Sequence, residues 1–301
     1  MKKVFKSAML LCAALVAFGA FAQEGADPTK ETVIIDPFTY GTAASAGARD
    51  NVRSAVMTGL SNVARFYVVD ALTDSRVSQL YQNRDAEEVV NDANWQEQST
   101  AAYKAMGATK LIKGQVDLIS TYTKKDDDGK VFYYCDLNFT LSTYDLTDGS
   151  MAGSETYKYH ELSSVSSEDA FNEAIRKTTK DMKQFCNKFF PIESYVLELG
   201  ETDKKGVLKD LWISGGKDVG IQSGTIFLVK TDVKRGPKTS RVTIGQVVAK
   251  DVEDDMTRCQ VNKKEDGAAI TEAYNNDQKL YVVLDRARGD GIKSVGRMFG
   301  F

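Results

Sequence analysis

The acidic run "DDDG" at residues 126–129 is the stretch of the sequence that looks most like part of a metal loop. A calcium loop of the EF-hand type needs oxygen ligands at alternate positions, a glycine at position 6 and a bidentate glutamate at position 12. If Gly129 takes position 6, Lys124 takes position 1 and Cys135 takes position 12. The spacing excludes this metal site and favours a hairpin turn, with Asp128 and Gly129 between two strands.

Histidine chemistry has one candidate, because His160 is the only histidine in the sequence. One histidine cannot build a histidine-rich zinc site, and the separated cysteines lack the paired spacing of zinc ligands. A serine or cysteine nucleophile would need His160 as its base. Its place beside Glu161, near the end of a predicted strand, favours a surface residue instead. The 42 acidic residues contain no carboxylate pair in a setting that supports glycosidase chemistry.

Two glycine patterns could serve ligand binding: a pair in a strand-to-helix connection, where phosphate loops occur, and a regular repeat in the second half of the chain. Neither pattern supports a ligand site. Gly41 and Gly47 lie between a predicted strand and a predicted helix, but Ala48 and Arg49 stand where a phosphate loop has lysine and serine or threonine. The glycines that recur every four residues from Gly216 to Gly224 indicate turns. We therefore predict no catalytic, cofactor-binding or metal-binding residues, and no cofactor.

Beyond the first 22 residues, the cysteines are Cys135, Cys186 and Cys259. An exported protein held together by disulfides would carry more of them at regular spacing. Cys135 alternates in phase with Leu137 on a predicted strand, and Cys186 shares a helical stripe with Met182. Both are predicted to be core thiols, and a disulfide between them is the alternative.

The amino-terminal residues "MKKVFKSAMLLCAALVAFGAFAQ" combine lysines, a short apolar run and an Ala-Phe-Ala end. This pattern predicts a secretory signal peptide over residues 1–22, cleaved after Ala22. The apolar run is too short for a confident membrane span. Cys12 lies inside the apolar run rather than after a small residue at its end, so we expect no lipid anchor. The mature chain is expected in the periplasm.

Composition limits the class of partner. The whole chain of 301 residues has a formal net charge of −3, and neither half has the basic excess of a nucleic-acid-binding protein. No other apolar stretch approaches the ~20 residues of a membrane helix. Even without its signal, the chain is longer than one hydrophobic core usually takes, which predicts two domains.

Apolar periodicity predicts the elements of the first domain. They are strands at 33–38 and 66–70, helices from 44, at 75–90 and at 99–106, strands at 111–123 and 131–144, a third strand ending near 160, and a helix at 167–189. This order indicates an α+β fold with helices packed on a mostly antiparallel sheet. Along the strand at 111–123, Ile112, Val116, Leu118 and Tyr122 alternate, and we expect all four to pack under the helices.

The texture of the sequence changes after Pro191, where short strands alternate with glycine-rich turns. This spacing predicts a small all-β barrel or sandwich. The predicted organisation is a signal peptide at 1–22, an α+β domain at 23–189, a small β domain at 190–285 and a disordered tail at 286–301.

Several stretches of the first domain resemble the CsgG family of curli assembly and transport components. They are "ETVIIDPF", "GLSNVARFYVVD", "SRVSQLYQNR", "AYKAMGATKLIKGQV" and "LNFTLSTYDLTDGSMAGSE". They are also similar to the TolB-like amino-terminal domain and to the lipoprotein activators of penicillin-binding proteins. The most specific stretch runs from Ala102 to Gly114, where a helix ends and the central strand begins. In the second domain, "GGKDVGIQSGTIFLV" and "IGQVVAKDV" resemble the last domain of flagellar assembly protein T.

The resemblance implies membrane-spanning extensions that this sequence replaces with short polar segments. In the curli channel the hairpin at the place of "TKKDDDGKV" carries one extension, and a second follows the third strand, where this chain has "HELSSVSSED". The family's lipid-anchor cysteine is also missing. We expect the fold and the envelope location to be shared, and we predict that the protein alone makes no pore and does not insert directly into a membrane.

The sequence therefore predicts a non-enzymatic, exported periplasmic binding or scaffold protein of the cell envelope, related to curli-type assembly components and associated with the outer membrane. Its expected partners are other cell-envelope proteins, further copies of itself included, and not nucleic acid. Two alternatives stay open. One is a subunit of an outer-membrane secretion channel whose membrane part another chain supplies. The other is a hydrolase with an unrecognised carboxylate pair.

Overall fold

The structure is a computed structural model that describes residues 30–40, 46–81 and 93–286. The predicted signal peptide and most of the helix predicted at 75–90 lie outside the described residues. The predicted tail also lies outside them, except for its first residue, Arg286, which belongs to the last strand.

The described residues form two units in chain order. The first comprises β1 Glu31–Ile35, β2 Thr39–Tyr40, α1 Ala46–Ser61, β3 Phe66–Asp70, α2 Ala93–Ala105, β4 Ala108–Lys125, β5 Val131–Asp145, β6 Met151–Ser163 and α3 Ser167–Phe189. The second comprises β7 Glu193–Leu199, β8 Asp210–Ser214, β9 Ile226–Arg235, β10 Lys238–Val252, β11 Met256–Val261, α4 Lys264–Asn275 and β12 Leu280–Arg286. None of these described helices combines the length and the apolar composition needed to cross a membrane.

The strands of the first unit form one sheet in the order β3-β1-β4-β5-β6, with β2 paired to β4. β1 runs parallel to β3 and β4, and its apolar run Val33–Ile35 is fully buried, as expected for a strand covered on both faces. β4, β5 and β6 are antiparallel and much longer. The α+β class with a mostly antiparallel sheet is confirmed.

Helices cover both faces of the sheet at its parallel end. α1 and α3 pack on one face, and the predicted helical stripe of Val52, Val56 and Leu60 lies in that core. α2 contributes Trp95 and Tyr103 to a second core on the opposite face. Within the described residues, no helix covers the long antiparallel strands on this second face. The uncovered surface of these strands is called the open face below.

α3 is confirmed over its predicted range. The Ser166 side chain accepts a hydrogen bond from the Asp169 N–H at 3.0 Å, and Glu168 adds negative charge to the first turn. Both effects stabilise a helix amino terminus. The buried stripe of α3 includes Met182 and Cys186, as its periodicity predicts.

A β-bulge in β4 between Val116 and Leu118 changes which side chains face the helices. Before it, Ile112 and Val116 are buried under α1 and α3, as predicted. After it, Ile119 packs against that core, while Tyr122 stacks on a tyrosine of β5 on the open face. The prediction that Leu118 and Tyr122 pack under the helices is wrong, because the bulge adds one residue to one strand and reverses the alternation.

The β4–β5 connection confirms the predicted hairpin. Gly129 has φ +79°, whereas Asp128 has no positive φ, so the turn is not a two-residue Asp-Gly turn. Asp126 holds it instead, because its side chain accepts from the N–H groups of Asp128 at 3.1 Å and Lys130 at 2.8 Å.

The predicted helices between β3 and β4 are only partly reproduced. Residues 78–81 form a 3-10 helix within the range predicted as helical at 75–90. The helix predicted at 99–106 begins earlier, at Ala93, and ends at Ala105. Gly107 follows it with φ +76°, as predicted for a helix end.

The second unit is a closed six-stranded barrel in the order β10-β11-β8-β7-β12-β9. The barrel is confirmed, but α4, which packs against β10 and β11, was not predicted. A Cβ atom on Gly267 of α4 would come within 2.9 Å of the Leu208 carbonyl oxygen. Glycine therefore permits the close approach of α4 to the barrel, at the cost of helix propensity.

Candidate functional site

A cleft of about 310 Å³ lies between the two units and is lined by residues of both. It is referred to below as the interdomain cleft. Its charged and amide-bearing lining residues are Arg65, Lys183, Lys217, Asn62, Asn187 and Gln222. Its apolar lining residues are Val63, Ala64, Ile192, Ile221 and Leu284. No carboxylate, histidine or thiol belongs to this described lining, so the cleft offers positive charge and hydrogen-bond donors together with apolar side chains.

Three separate elements position the cations. Arg65 lies in the turn between α1 and β3. Lys183 and Asn187 are four residues apart on α3, so they share one face of that helix. Lys217 begins a 3-10 turn of the barrel unit, which closes at Gly220 with φ +84°. The site exists only where these elements of both units meet.

Arg65 is 8% exposed and has no carboxylate within ion-pair distance among the described residues. Its Nη2 donates to the Phe190 carbonyl at 2.9 Å and to Asn187 Oδ1 at 3.4 Å, and the guanidinium lies 4.7 Å from the centre of the Phe66 ring. The enclosed Nε–H has no acceptor. Burial lowers the pKa of Arg65, and Cys186 and then Glu31 oppose that effect. The buried positive charge is thus held in place without an ion pair to a described carboxylate.

The two lysines of the cleft are exposed. Lys183 forms no ion pair with the described residues. Lys217 Nζ lies 3.5 Å from an Asp254 oxygen, but these side chains are 66% and 93% exposed. An exposed pair of this kind contributes little. Both ammonium groups are therefore available to a ligand in the cleft.

Asp36, at the carboxyl end of β1, is a buried charge in a different setting. It is 1% exposed, and its Oδ1 accepts from Tyr103 Oη at 2.5 Å and from Tyr81 Oη at 3.2 Å. Its Oδ2 lies 3.9 Å from Lys113 Nζ and accepts no hydrogen bond. Burial raises the pKa of Asp36, and the two hydroxyl groups and Lys113 oppose that rise.

Arg53 of α1 connects this centre to the neighbouring strand. Its Nε donates to the Asp36 carbonyl and its Nη2 to the Ile35 carbonyl, both at 3.1 Å. It also pairs with Asp70 at the end of β3, where Nη1 lies 3.2 Å from Oδ2. The group ties β1, β3 and α1 together, and its enclosure excludes a substrate from Asp36.

His160 lies on the open face, and its side chain is 60% exposed, as predicted for a surface residue. Its Nδ1 is 2.5 Å from Asp136 Oδ1, and its ring lies 5.4 Å from the Tyr134 ring. Tyr134 in turn stacks on Tyr122 at 5.2 Å. These contacts include no serine or cysteine nucleophile, so the histidine belongs to a surface ladder of rings across three strands.

The remaining residues considered for chemistry from the sequence are the cysteines and the glycines of the first strand-to-helix connection. Cys135, Cys186 and Cys259 are buried, unpaired thiols, as the core interpretation predicts. Burial raises the pKa of Cys135 to about 11 and that of Cys186 to about 12, so neither is a reactive thiolate near neutral pH. Gly41 lies outside the described residues, and Gly47 lies within α1. Across residues 30–40, 46–81 and 93–286, no group of three or more His, Cys, Asp or Glu residues is arranged to hold a metal ion.

The interdomain cleft was not predicted from the sequence. Its cations, Arg65, Lys183 and Lys217, come from segments more than thirty residues apart, so no local spacing signals their meeting. Arg65 offered one weak signal, since it directly precedes the apolar strand "FYVVD" and is therefore placed at the edge of a core.

No protein-family model matches the chain, and no curated protein matches it. Several solved structures are similar to about half of it. Lipoprotein GNA1162 from Neisseria meningitidis is 11% identical, with a TM-score of 0.36 over 51% of this chain and 99% of that chain. The PelC dodecamer from Paraburkholderia phytofirmans is 14% identical, with a TM-score of 0.32 over 52% and 91%. The LpoB C-terminal domain from Salmonella enterica is 9% identical, with a TM-score of 0.30 over 47% and 91%.

Proposed function

We propose that this chain is an exported, non-enzymatic binding protein of the bacterial cell envelope and that the interdomain cleft is its ligand site. The carrying observation is the chemistry of the cleft, where Arg65 is a buried cation whose Nε–H has no acceptor and which forms no ion pair with a described residue. Ligand sites are frequent between domains, and a buried charge needs a partner. A ligand that supplies the partner would also hold the two units together.

The composition of the cleft favours binding over catalysis. General acid–base catalysis needs a group such as histidine or a carboxylate within hydrogen-bond reach of the substrate. The described lining of the cleft has neither, and its lysines are exposed ammonium groups rather than buried nucleophiles. Asp36 is enclosed, and His160 lies on the open face. These placements support a protein that holds its ligand unchanged.

The location and partners belong to the same proposal. The signal-like residues 1–22 support export, and the acidic balance of the chain supports partners other than nucleic acid. We place the protein in the periplasm, where it works with other envelope proteins in assembly or transport.

The test compares thermal unfolding of the purified mature protein with and without an extract of its own cell envelope. A ligand that binds only the folded state raises the unfolding temperature. We expect the wild type and the control Lys180→Gln, which changes an exposed cation of α3 outside the cleft, to be stabilised equally. The double variant Lys183→Gln, Lys217→Gln should lose that stabilisation. Equal stabilisation of all three proteins, or consumption of an extract component by the protein, would refute the proposal.

A further inference from the structure

We infer that the ligand of the interdomain cleft carries a phosphate group, an inference that rests on the proposed function of the cleft. Three observations carry it: the number of cations, the commitment of the Arg65 Nη2 donors within the fold, and the apolar residues of the lining.

The charge of the cleft suits a dianion. Arg65, Lys183 and Lys217 bring three positive charges, and the described lining brings no negative charge. A phosphate monoester carries about −1.5 to −2 at neutral pH, whereas a carboxylate carries a single charge. The phosphate therefore offsets more of the repulsion among the three cations.

The geometry of Arg65 also disfavours a carboxylate. Carboxylates bind arginine best through two parallel N–H bonds from one guanidinium. Here Nη2 already donates to the Phe190 carbonyl and to Asn187, and Nε is enclosed. Nη2 belongs to both parallel pairs that a guanidinium can offer, Nη1 with Nη2 and Nε with Nη2, so its two bonds leave no free pair for a carboxylate. Arg65 therefore acts mainly as a fixed charge. Lysine binds phosphate as a point charge from several directions, which matches cations on separate elements.

The rest of the cleft limits the size and polarity of the ligand. Its volume of about 310 Å³ is near the lower end of small-molecule sites, which span roughly 300–1,000 Å³. Ile192, Ile221 and Leu284 are buried residues that contribute apolar surface to the lining of the cleft. A small organic phosphate with an apolar portion fits this combination, and so does the phosphate headgroup of a lipid.

Lys217 has one competitor for the ligand. Its contact with Asp254 at 3.5 Å joins two exposed side chains, and salt screens such pairs. A phosphate held also by Arg65 replaces that contact at little cost.

The experiment is calorimetric titration of the full mature protein at low ionic strength with three matched compounds: phenyl phosphate, benzoate and phenol. We expect phenyl phosphate to bind more tightly than benzoate, and phenol to bind least. Lys183→Gln and Lys217→Gln should each weaken phenyl phosphate binding about tenfold, as for the loss of one charged hydrogen bond. Lys180→Gln on the same helix should leave it unchanged. Both test variants alter exposed side chains, so a folding defect does not confuse the result.

Two further arms distinguish the sources of the phosphate. Inorganic phosphate competing with phenyl phosphate, together with no binding to vesicles, identifies a soluble phosphate compound. Binding to phosphatidylcholine vesicles that contain phosphatidic acid, but not to phosphatidylcholine alone, identifies a lipid headgroup if the two lysine variants remove it. Benzoate binding as tightly as phenyl phosphate, no binding of any phosphate compound, or an equal effect of Lys180→Gln would overturn the inference. If phosphate compounds fail while envelope extract still stabilises only proteins with an intact cleft, the binding function stands and the ligand class is wrong.

Discussion

Asp36 and Arg65 are buried charges of the same unit, 1% and 8% exposed, yet their surroundings differ. Asp36 has two tyrosine hydroxyl groups on one oxygen and the Lys113 ammonium near the other. Arg65 has a carbonyl, an amide oxygen and an aromatic ring, but no carboxylate. The partners of Asp36 offset its negative charge within the fold. The partners of Arg65 hold its guanidinium in position but bring no negative charge.

The position of each centre explains the difference. Asp36 lies inside the first unit, at the end of β1, where only the chain itself can supply a partner. Arg65 lies at the boundary between the units, where a molecule from solution can supply one. A buried charge with an incomplete set of partners at a boundary is therefore informative about ligands, while a buried charge alone is not.

The largest change in stability is expected at Asp36, whose partners all come from the fold itself. Asp36→Ala removes the acceptor of two buried hydroxyl groups and leaves Lys113 without its counter-charge, so we expect a loss of about 3–5 kcal/mol in the free energy of unfolding. Urea denaturation measures it. Asp136→Ala, which removes the carboxylate beside His160 on the open face, should cost less than about 1 kcal/mol. Similar losses in the two variants would show that the Asp36 network contributes nothing special.

A smaller loss is expected at the other buried charge. Arg65→Met keeps an unbranched apolar stem, removes the buried charge and leaves the Phe190 carbonyl without its donor. These effects oppose each other, so we expect a net loss of about 1 kcal/mol in urea denaturation without ligand. A loss as large as that of Asp36→Ala would mean that the charge of Arg65 is already balanced in the free protein, and the comparison would fail.

The dependence of stability on pH gives a third contrast. The folded-state pKa of Asp36 is raised above its unfolded value, so its contribution is fully present below the unfolded value, about 3.9, and is lost as pH rises through the folded value. The stability of the wild type relative to Asp36→Asn should therefore fall as pH rises. Asp145, whose pKa a hydrogen bond from Lys110 lowers to about 2, should behave oppositely: the stability of the wild type relative to Asp145→Asn should fall as pH drops toward 2. Urea denaturation across this pH range measures both slopes, and slopes of equal sign would contradict the assignment.

The smallest effect is expected at the rim of the cleft. Lys183→Gln removes an exposed cation without an ion pair, so the free energy of unfolding should change by less than about 0.5 kcal/mol. The same variant should weaken phenyl phosphate binding about tenfold, which separates the stability of the fold from the function of the cleft. A large destabilisation would show that Lys183 belongs to the fold.

Local signals in the sequence were sufficient to predict elements whose apolar pattern is set within one segment of the chain. The stripe of α3 and the alternation that buries Cys135 are of this kind. The bulge after Val116 was not predictable, because it depends on how β4 aligns with β5. α4 was missed because Gly267 weakens its helical pattern, and the packing reason for that glycine lies on another element. The cleft was missed because its cations meet only after both units have folded.

The bulge in β4 can be understood in the language of reading frames. Side chains along a strand alternate between two faces, so an extra residue acts as a frameshift that persists to the tip of the hairpin. One stretch of β4 is thereby read in two frames: Val116 belongs to the frame of the core, and Tyr122 belongs to the frame of the open face. A one-residue deletion at the bulge would act as a suppressor of that shift. Because only the extra residue is lost, Ile119 would stay against the core and Tyr122 would stay on the open face. The two faces beyond Val116 would exchange only if the bulge were straightened with every residue kept.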